Sequence, residues 1–222
     1  MQYDLKHLTD FEEKVIGPIQ SDEALLIYSL VQVIRPEVIL EFGFAKGHSS
    51  RNFLAAMSKN CKLYSFDIKK ESEDIAKTII KDNRFKFILK GQEDFIPSDI
   101  DNNLIDITFF DASHNTDLNI ITFRKIKDYI KKNGVILVHD TGSWNNNYNE
   151  KVRNTEGYYV NGYPFPKGYF LNKDEYIHQQ GERKFVNFLR ENYPEFHQIH
   201  FHSTNTFRHG LTMLQKSEKL EI

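Results

Sequence analysis

The chain is expected to adopt an α/β fold: a doubly wound, mostly parallel seven-stranded sheet ending in an antiparallel hairpin. Three observations predict it. Short apolar, β-branched runs alternate with helical periodicity from residue 21 to residue 138. Those runs are apolar on both faces, as strands are when helices cover both sides of a parallel sheet. The last two β-like segments are split only by Ser203-Thr204-Asn205, too short for anything but an antiparallel pair.

Taken in order, residues 1–20 form an acidic lead-in of helical character. Ser21 reads as an N-cap, with Asp22 and Glu23 in the first turn, where the helix dipole favours carboxylates. Leu25, Leu26, Ile27, Leu30, Val31 and Ile34 follow at helical spacing, and Pro36 ends the helix. Val38-Ile39-Leu40 is a buried strand, broken by Gly43 and Gly47. Ser49 or Ser50 caps a helix through Arg51–Ser58. The alternation continues with strand 62–66, helix 71–81, strand 85–89, strand 105–110, helix 118–131, a turn at Lys132-Asn133-Gly134 and strand 135–138. A helix at 183–193 precedes the hairpin strands 197–202 and 208–214.

The composition narrows the function. The 222 residues suit a single domain over 1–222 carrying an insertion loop at 143–176. Net charge is −2, so no strong field exists to grip nucleic acid or an anionic membrane, and neither partner is expected. One cysteine, Cys61, excludes an intrachain disulfide and a Cys-based zinc cluster. The opening MQYDLKHLTDFEEK is polar and acidic, unlike a signal or transit peptide, and a cytoplasmic location is expected. The 143–176 loop holds Trp144 and much of the tyrosine. Loops this long are usually functional. It reads as a lid over an acceptor or as a homodimer contact, since aromatics are enriched in interfaces too.

Two motifs carry chemistry. In the first, Glu41-Phe42-Gly43-Phe44-Ala45-Lys46-Gly47 ends a strand and opens a helix, the place where ligands of open α/β sheets bind. Asp67 ends the next strand, where a carboxylate can accept both ribose hydroxyls. Gly91-Gln92-Glu93-Asp94 ends the third and can frame an adenine edge. Glu41 would repel a pyrophosphate and suits a ligand with a positive amine. In the second motif, Asp111 and Asp140 end the fourth and fifth strands. Neighbouring strands lie about 4.8 Å apart, so both carboxylates can face one point. They repel unless a proton or a cation such as Mg²⁺ sits between them. His114 and His139 flank the pair; these aspartates also suit helix capping.

ILEFGFAKGHSS resembles motif I of the class I S-adenosylmethionine-dependent methyltransferases. YSFD is similar to their ribose-binding strand end, and IDITFFDASHN with KKNGVILVHDTG to their fourth and fifth strands. The nearest group is bacterial, with D-x-x-H after strand four and an H-D pair after strand five; it includes sugar and macrolide-sugar O-methyltransferases. The resemblance implies a Rossmann-like fold and methyl transfer to a hydroxyl of a sugar or other polyhydroxyl small molecule. By it, Glu41, Gly43, Phe44 and Gly47 surround the methionine part of S-adenosylmethionine, Asp67 holds the ribose, and Gln92 and Glu93 lie near adenine. Asp111 borders the cofactor and, with His139 and Asp140, holds a divalent metal; His114 is the base. Ala45 stands where many members have glycine, which requires φ < 0 there. Two other classes compete: a nucleotide-dependent oxidoreductase, disfavoured by the glycine spacing and Glu41, and a non-catalytic cofactor-binding partner.

Overall fold

The computed structural model describes residue 19, residues 21–141, 180–201 and 210–217, and the backbone of five short strands between 152 and 176. The main sheet has seven strands: β1 (Val38–Phe42), β2 (Lys62–Asp67), β3 (Phe85–Leu89), β4 (Ile105–Phe110), β5 (Ile130–Val138), β6 (Phe196–Phe201) and β7 (Leu211–Lys216). Their order is β6-β7-β5-β4-β1-β2-β3. Strands β1 to β5 are mutually parallel; β7 runs antiparallel to both β5 and β6. The order switches direction at β1 and β4, so a crevice opens at their carboxyl ends.

Alternation along the strands divides the core in two. Val38, Leu40 and Phe42 of β1 pack with Phe110, Ile136 and Val138 beneath α4 (Thr116–Ile126) and α5 (Gln180–Asn192). Ile39, Leu63, Ile107 and Leu137 face the other way, beneath α1 (Ser21–Ile34) and α2 (His48–Ala56). The remaining helix, α3 (Lys70–Ile79), links β2 to β3. Phe42 sits between Phe66 and Phe110, with ring centroids 5.3 and 5.2 Å away, so the aromatic contacts run across β2, β1 and β4 just below the crevice.

Several boundaries differ from the sequence expectation. α2 begins at His48 with Gly47 at the N-cap, so Ser49 and Ser50 lie inside the first turn. α4 is capped by Asn115, whose side-chain oxygen accepts from the N–H groups of Asp117 and Leu118 at 2.9 and 3.2 Å. That helix stops at Ile126, and β5 starts at Ile130. Lys131–Gly134 is a bulge within β5, not a turn before it: the register with β4 shifts between Ile105 and Ile107, and Asn133 has φ +61°. The apolar spacing of Ile126, Tyr129 and Ile130 suits a longer helix, but Ile130 pairs with Ile105 of β4 and belongs to the strand. The 143–176 loop lies outside the described residues except for the backbone of the short strands. Among these, 170–172 pairs with 152–153 and 175–176, and 158–160 with 163–165.

The crevice rests on a contact between backbones. Asp111 N–H donates to the Phe42 carbonyl at 2.9 Å, and the chain after β4 passes directly over Gly43. Gly43 has φ +102°, and a Cβ there would lie 2.3 Å from the Asp111 carbonyl oxygen. No rotamer relieves a clash of Cβ with backbone. Gly43→Ala is therefore expected to cost at least about 3 kcal/mol, from overpacking and an unfavourable φ together. Urea unfolding read by circular dichroism checks this; a midpoint within error of the parent would refute it.

Candidate active site

The crevice is a cleft of about 320 Å³ bordered by Gly43, Ala45, Asp67, Gln92, Glu93 and Asp111, with Phe66, Ile68, Lys69, Ser113 and Leu118 among its walls. Five of the eight residues expected around the cofactor thus meet in one place. Asp67 is fixed by backbone donors: Lys69 N–H to Oδ1 and Ala45 N–H to Oδ2, both at 2.9 Å. Each oxygen keeps a further lone pair for a hydroxyl. Gln92 is buried. Its Nε2 donates to Asn119 Oδ1 at 2.7 Å and Thr122 Oγ1 at 3.1 Å. Its Oε1 has no hydrogen-bond partner among the described residues. An orphaned buried acceptor on a cleft wall suits an amino-group donor such as the adenine edge.

Glu41, Phe44 and Gly47 are not on the cleft wall. Glu41 shares the Ile39 face of β1, so its carboxylate runs beneath the loop to the start of α2. It accepts hydroxyls from Ser49 and Ser65, both at 2.5 Å, and from Ser50. Gly47 offers α2 no side-chain cap, and the buried carboxylate supplies the negative charge that a helix N-terminus favours. Burial pushes the Glu41 carboxyl up to about 7, against the opposing pull of the three serines. Phe44 is buried against Phe85 and Phe87, at 5.8 and 5.3 Å. Gly47 has φ +78°, and a Cβ there would strike the Phe44 ring at 2.7 Å. Contrary to the condition set on Ala45, that residue has φ +47°. The left-handed region costs an alanine roughly 1 kcal/mol, and the hydrogen bond from its N–H to Asp67 opposes that cost.

The second motif lies next to the cleft. His139 is fully buried. It donates from Nδ1 to Asp111 Oδ1 at 3.0 Å and from Nε2 to Glu23 Oε2 at 2.9 Å; Asp140 Oδ1 is 3.5 Å from Nδ1. Glu23, on α1, also accepts the Gly210 N–H at 3.0 Å. Asp140 has φ +57° at the turn out of β5. Burial opposes a charge on His139, but the carboxylates of Asp111, Asp140 and Glu23 outweigh it and raise its pKa well above the ordinary value. Burial likewise raises Asp111, with His139 pulling the other way.

Asp111, His139 and Asp140 each offer one ligand atom, and the three atoms lie within 4.8 Å of one another. Two carboxylate oxygens and an imidazole nitrogen fit a divalent cation, the nitrogen favouring Mn²⁺ or Zn²⁺ over Mg²⁺. The Glu23 carboxylate on the far ring nitrogen is the outer partner that metal-bound histidines commonly have. A cation on Nδ1 takes the place of its proton.

His114 follows Asp111 by a short loop, and its Nδ1 lies in hydrogen-bond contact with Glu182 Oε1 at 2.7 Å. Sequence reasoning missed Glu182, Arg183 and Glu23. Arg183 is buried and donates from Nε and an Nη to the Thr141 carbonyl at 3.0 and 2.9 Å, tying α5 to the end of β5. One signal was available: Gly181, in the first turn of α5, costs helix stability and usually marks a close approach.

The sheet order and the crevice are those of a fold shared with solved methyltransferase structures. Residues 40–141 match the family model of a methyltransferase domain. A search of curated protein sequences gives no match. Solved structures with the same fold include an O-methyltransferase from Bacillus cereus in complex with SAH, at 15% identity and TM-score 0.65, covering 91% of this chain and 84% of that one. The O-methyltransferase TomG from Streptomyces achromogenes, in complex with SAM, is 14% identical with TM-score 0.65, covering 96% and 87%. An rRNA methylase from Streptococcus thermophilus is 14% identical with TM-score 0.59, covering 93% and 100%. No helix among the described residues is long and apolar enough to cross a membrane.

Glu41 makes the fold sensitive to pH. Its carboxyl is raised in the folded protein, so its contribution is whole below the ordinary value of 4.5 and is lost as pH climbs to about 7. Glu41→Gln lacks this dependence. Between pH 4.5 and 8 the parent should lose stability relative to the variant by on the order of 3 kcal/mol. Paired denaturant melts across that range measure the difference; a pH-independent gap would contradict the assignment.

Proposed function

We propose that the protein is an S-adenosylmethionine-dependent O-methyltransferase acting on a hydroxyl of a small molecule, a sugar or other polyhydroxyl compound. The observation that carries the reading is the convergence of Asp67, Gln92 and Gly43 on one cleft whose end is Asp111. It provides a carboxylate for ribose hydroxyls, an unpartnered acceptor for an amino group and a Cβ-free floor. The O-methyltransferases in complex with SAH and SAM that share the fold support the same reading. A net charge of −2 favours a small acceptor over nucleic acid.

S-adenosylmethionine supplies an already electrophilic sulfonium methyl when bound. The chain must bind and align the acceptor and remove its proton. Asp111 connects the two tasks, bordering the cleft on one side and receiving His139 on the other. A divalent cation on Asp111, His139 and Asp140 would orient the hydroxyl and lower its pKa. His114 is the base that takes the proton. Most of the acceleration would come from alignment. The 143–176 loop follows the strand end that carries Asp140, and in this reading it closes over the acceptor. The cytoplasm remains the proposed compartment.

Calorimetric titration with S-adenosylhomocysteine tests the cofactor. Asp67→Ala should weaken binding tenfold or more, since a charged hydrogen bond is worth about 1–3 kcal/mol. Unchanged affinity would overturn the assignment, and tighter binding of NAD would favour an oxidoreductase. The same titration with Mn²⁺ and with Mg²⁺ tests the metal: Asp140→Asn should lower metal affinity and leave the homocysteine product bound as before.

A further inference from the structure

Most of the polar groups around the active site come from strand ends. Glu182 does not. It enters from α5, 68 residues along the chain from His114, and the structure goes to some length to bring it there. Gly181 sits so close to the loop after β4 that a Cβ would lie 2.2 Å from the His114 carbonyl oxygen. Thr116 Oγ1 donates to the Gly181 carbonyl at 3.2 Å, fixing the first turn of α5 against the first turn of α4. Arg183 anchors the next residue to the Thr141 carbonyl. Between these two ties, the Glu182 carboxylate is 3% exposed and has its Oε1 on His114 Nδ1. His114 itself keeps 37% of its side chain exposed, so a buried acid stands behind an accessible imidazole.

A neutral imidazole can carry its proton on either nitrogen, and only the other nitrogen can act as a base. Burial raises the Glu182 carboxyl to about 7, with the hydrogen bond to His114 pulling the other way; once ionised it accepts but does not donate, so it requires the proton on Nδ1 and leaves the lone pair on Nε2. We propose that Glu182 is the positioning residue of His114: it holds the Nδ1–H tautomer and the ring orientation, so that Nε2 takes the proton of the acceptor hydroxyl. The inference rests on the reading of His114 as the base. In the step itself the acceptor O–H bond breaks and its proton goes to Nε2. The oxygen lone pair forms the new O–CH₃ bond, and the C–S electron pair remains on sulfur, leaving a thioether. Glu182 accepts no proton; it stabilises the imidazolium that forms. Asp111 and Asp140 also act on the ring through space.

Nitrogen-15 spectra of the histidine-labelled protein, recorded across pH, test this without an acceptor. Neutral His114 should be the Nδ1–H tautomer in the parent. Glu182→Gln keeps an acceptor of the same shape without charge, and should lower the His114 midpoint by about one pH unit or more. Glu182→Ala should also lose the tautomer preference, and Glu182→Asp should restore part of both. Asp111 and Asp140 are unchanged in each variant, so differences report Glu182. An unmoved midpoint in Glu182→Gln, or an Nε2–H tautomer in the parent, would overturn the proposal. S-adenosylhomocysteine affinity, measured alongside, reports the fold of each variant. If the parent itself fails to bind that product, the methyltransferase reading falls while the tautomer result stands.

Discussion

The site depends on one constraint: the backbone after β4 crosses over the end of β1 at van der Waals distance, with no side chain between. Gly43 makes that passage, and the hydrogen bond from Asp111 to Phe42 locks it. The same lacing continues sideways, from Gly43 to Phe66, from His139 to Phe110 and from Thr141 to Gly210. Each strand hands its last residue to its neighbour. The functional groups at positions 67, 111, 139 and 140 therefore stand in a row whose spacing the sheet sets. Side-chain flexibility does not enter until His114, and there α5 supplies a second clamp.

Electrostatics explains why the row needs so many partners. Asp111, Asp140, Glu23 and Glu182 bring four carboxyl groups into one partly buried region, where His114 and His139 contact them directly. Isolated buried carboxylates would neutralise rather than persist. The two imidazoles pull against that burial at Asp111 and Glu182, and the remaining negative charge is what a divalent cation would meet. Glu41 is handled differently: among the described residues its carboxylate is met by serine hydroxyls, and burial drives its carboxyl towards neutral pH.

The sheet was legible because a buried parallel strand must be apolar on both faces, and runs such as Val38–Leu40 and Ile105–Phe110 meet that condition. Position at a strand end was enough to bring Asp67, Gln92 and Asp111 to one cleft. Direction was harder. Glu41 is the third residue after Val38, and counting by twos along β1 puts it on the Ile39 face, under α2 and away from the cleft; the motif reading considered its charge and not its parity. Ala45 shows a different gap, since a type of residue does not reveal its φ when a hydrogen bond to Asp67 offsets the cost. The roles of Glu182 and Glu23 arise only when distant helices dock, and Gly181 was the one mark of that approach in the sequence.

That docking has a consequence for how the chain assembles. The hydrogen bond from His139 to Glu23 joins residues 116 apart, and that from Gly210 to Glu23 joins residues 187 apart. Closing such loops costs entropy that is recovered only once the intervening structure exists. The first helix, the fifth strand and the closing hairpin must all be in register before Glu23 acquires both partners. Its carboxylate is thus a marker of completed folding, silent in any species that has formed the central strands but has not yet brought the two ends of the chain together.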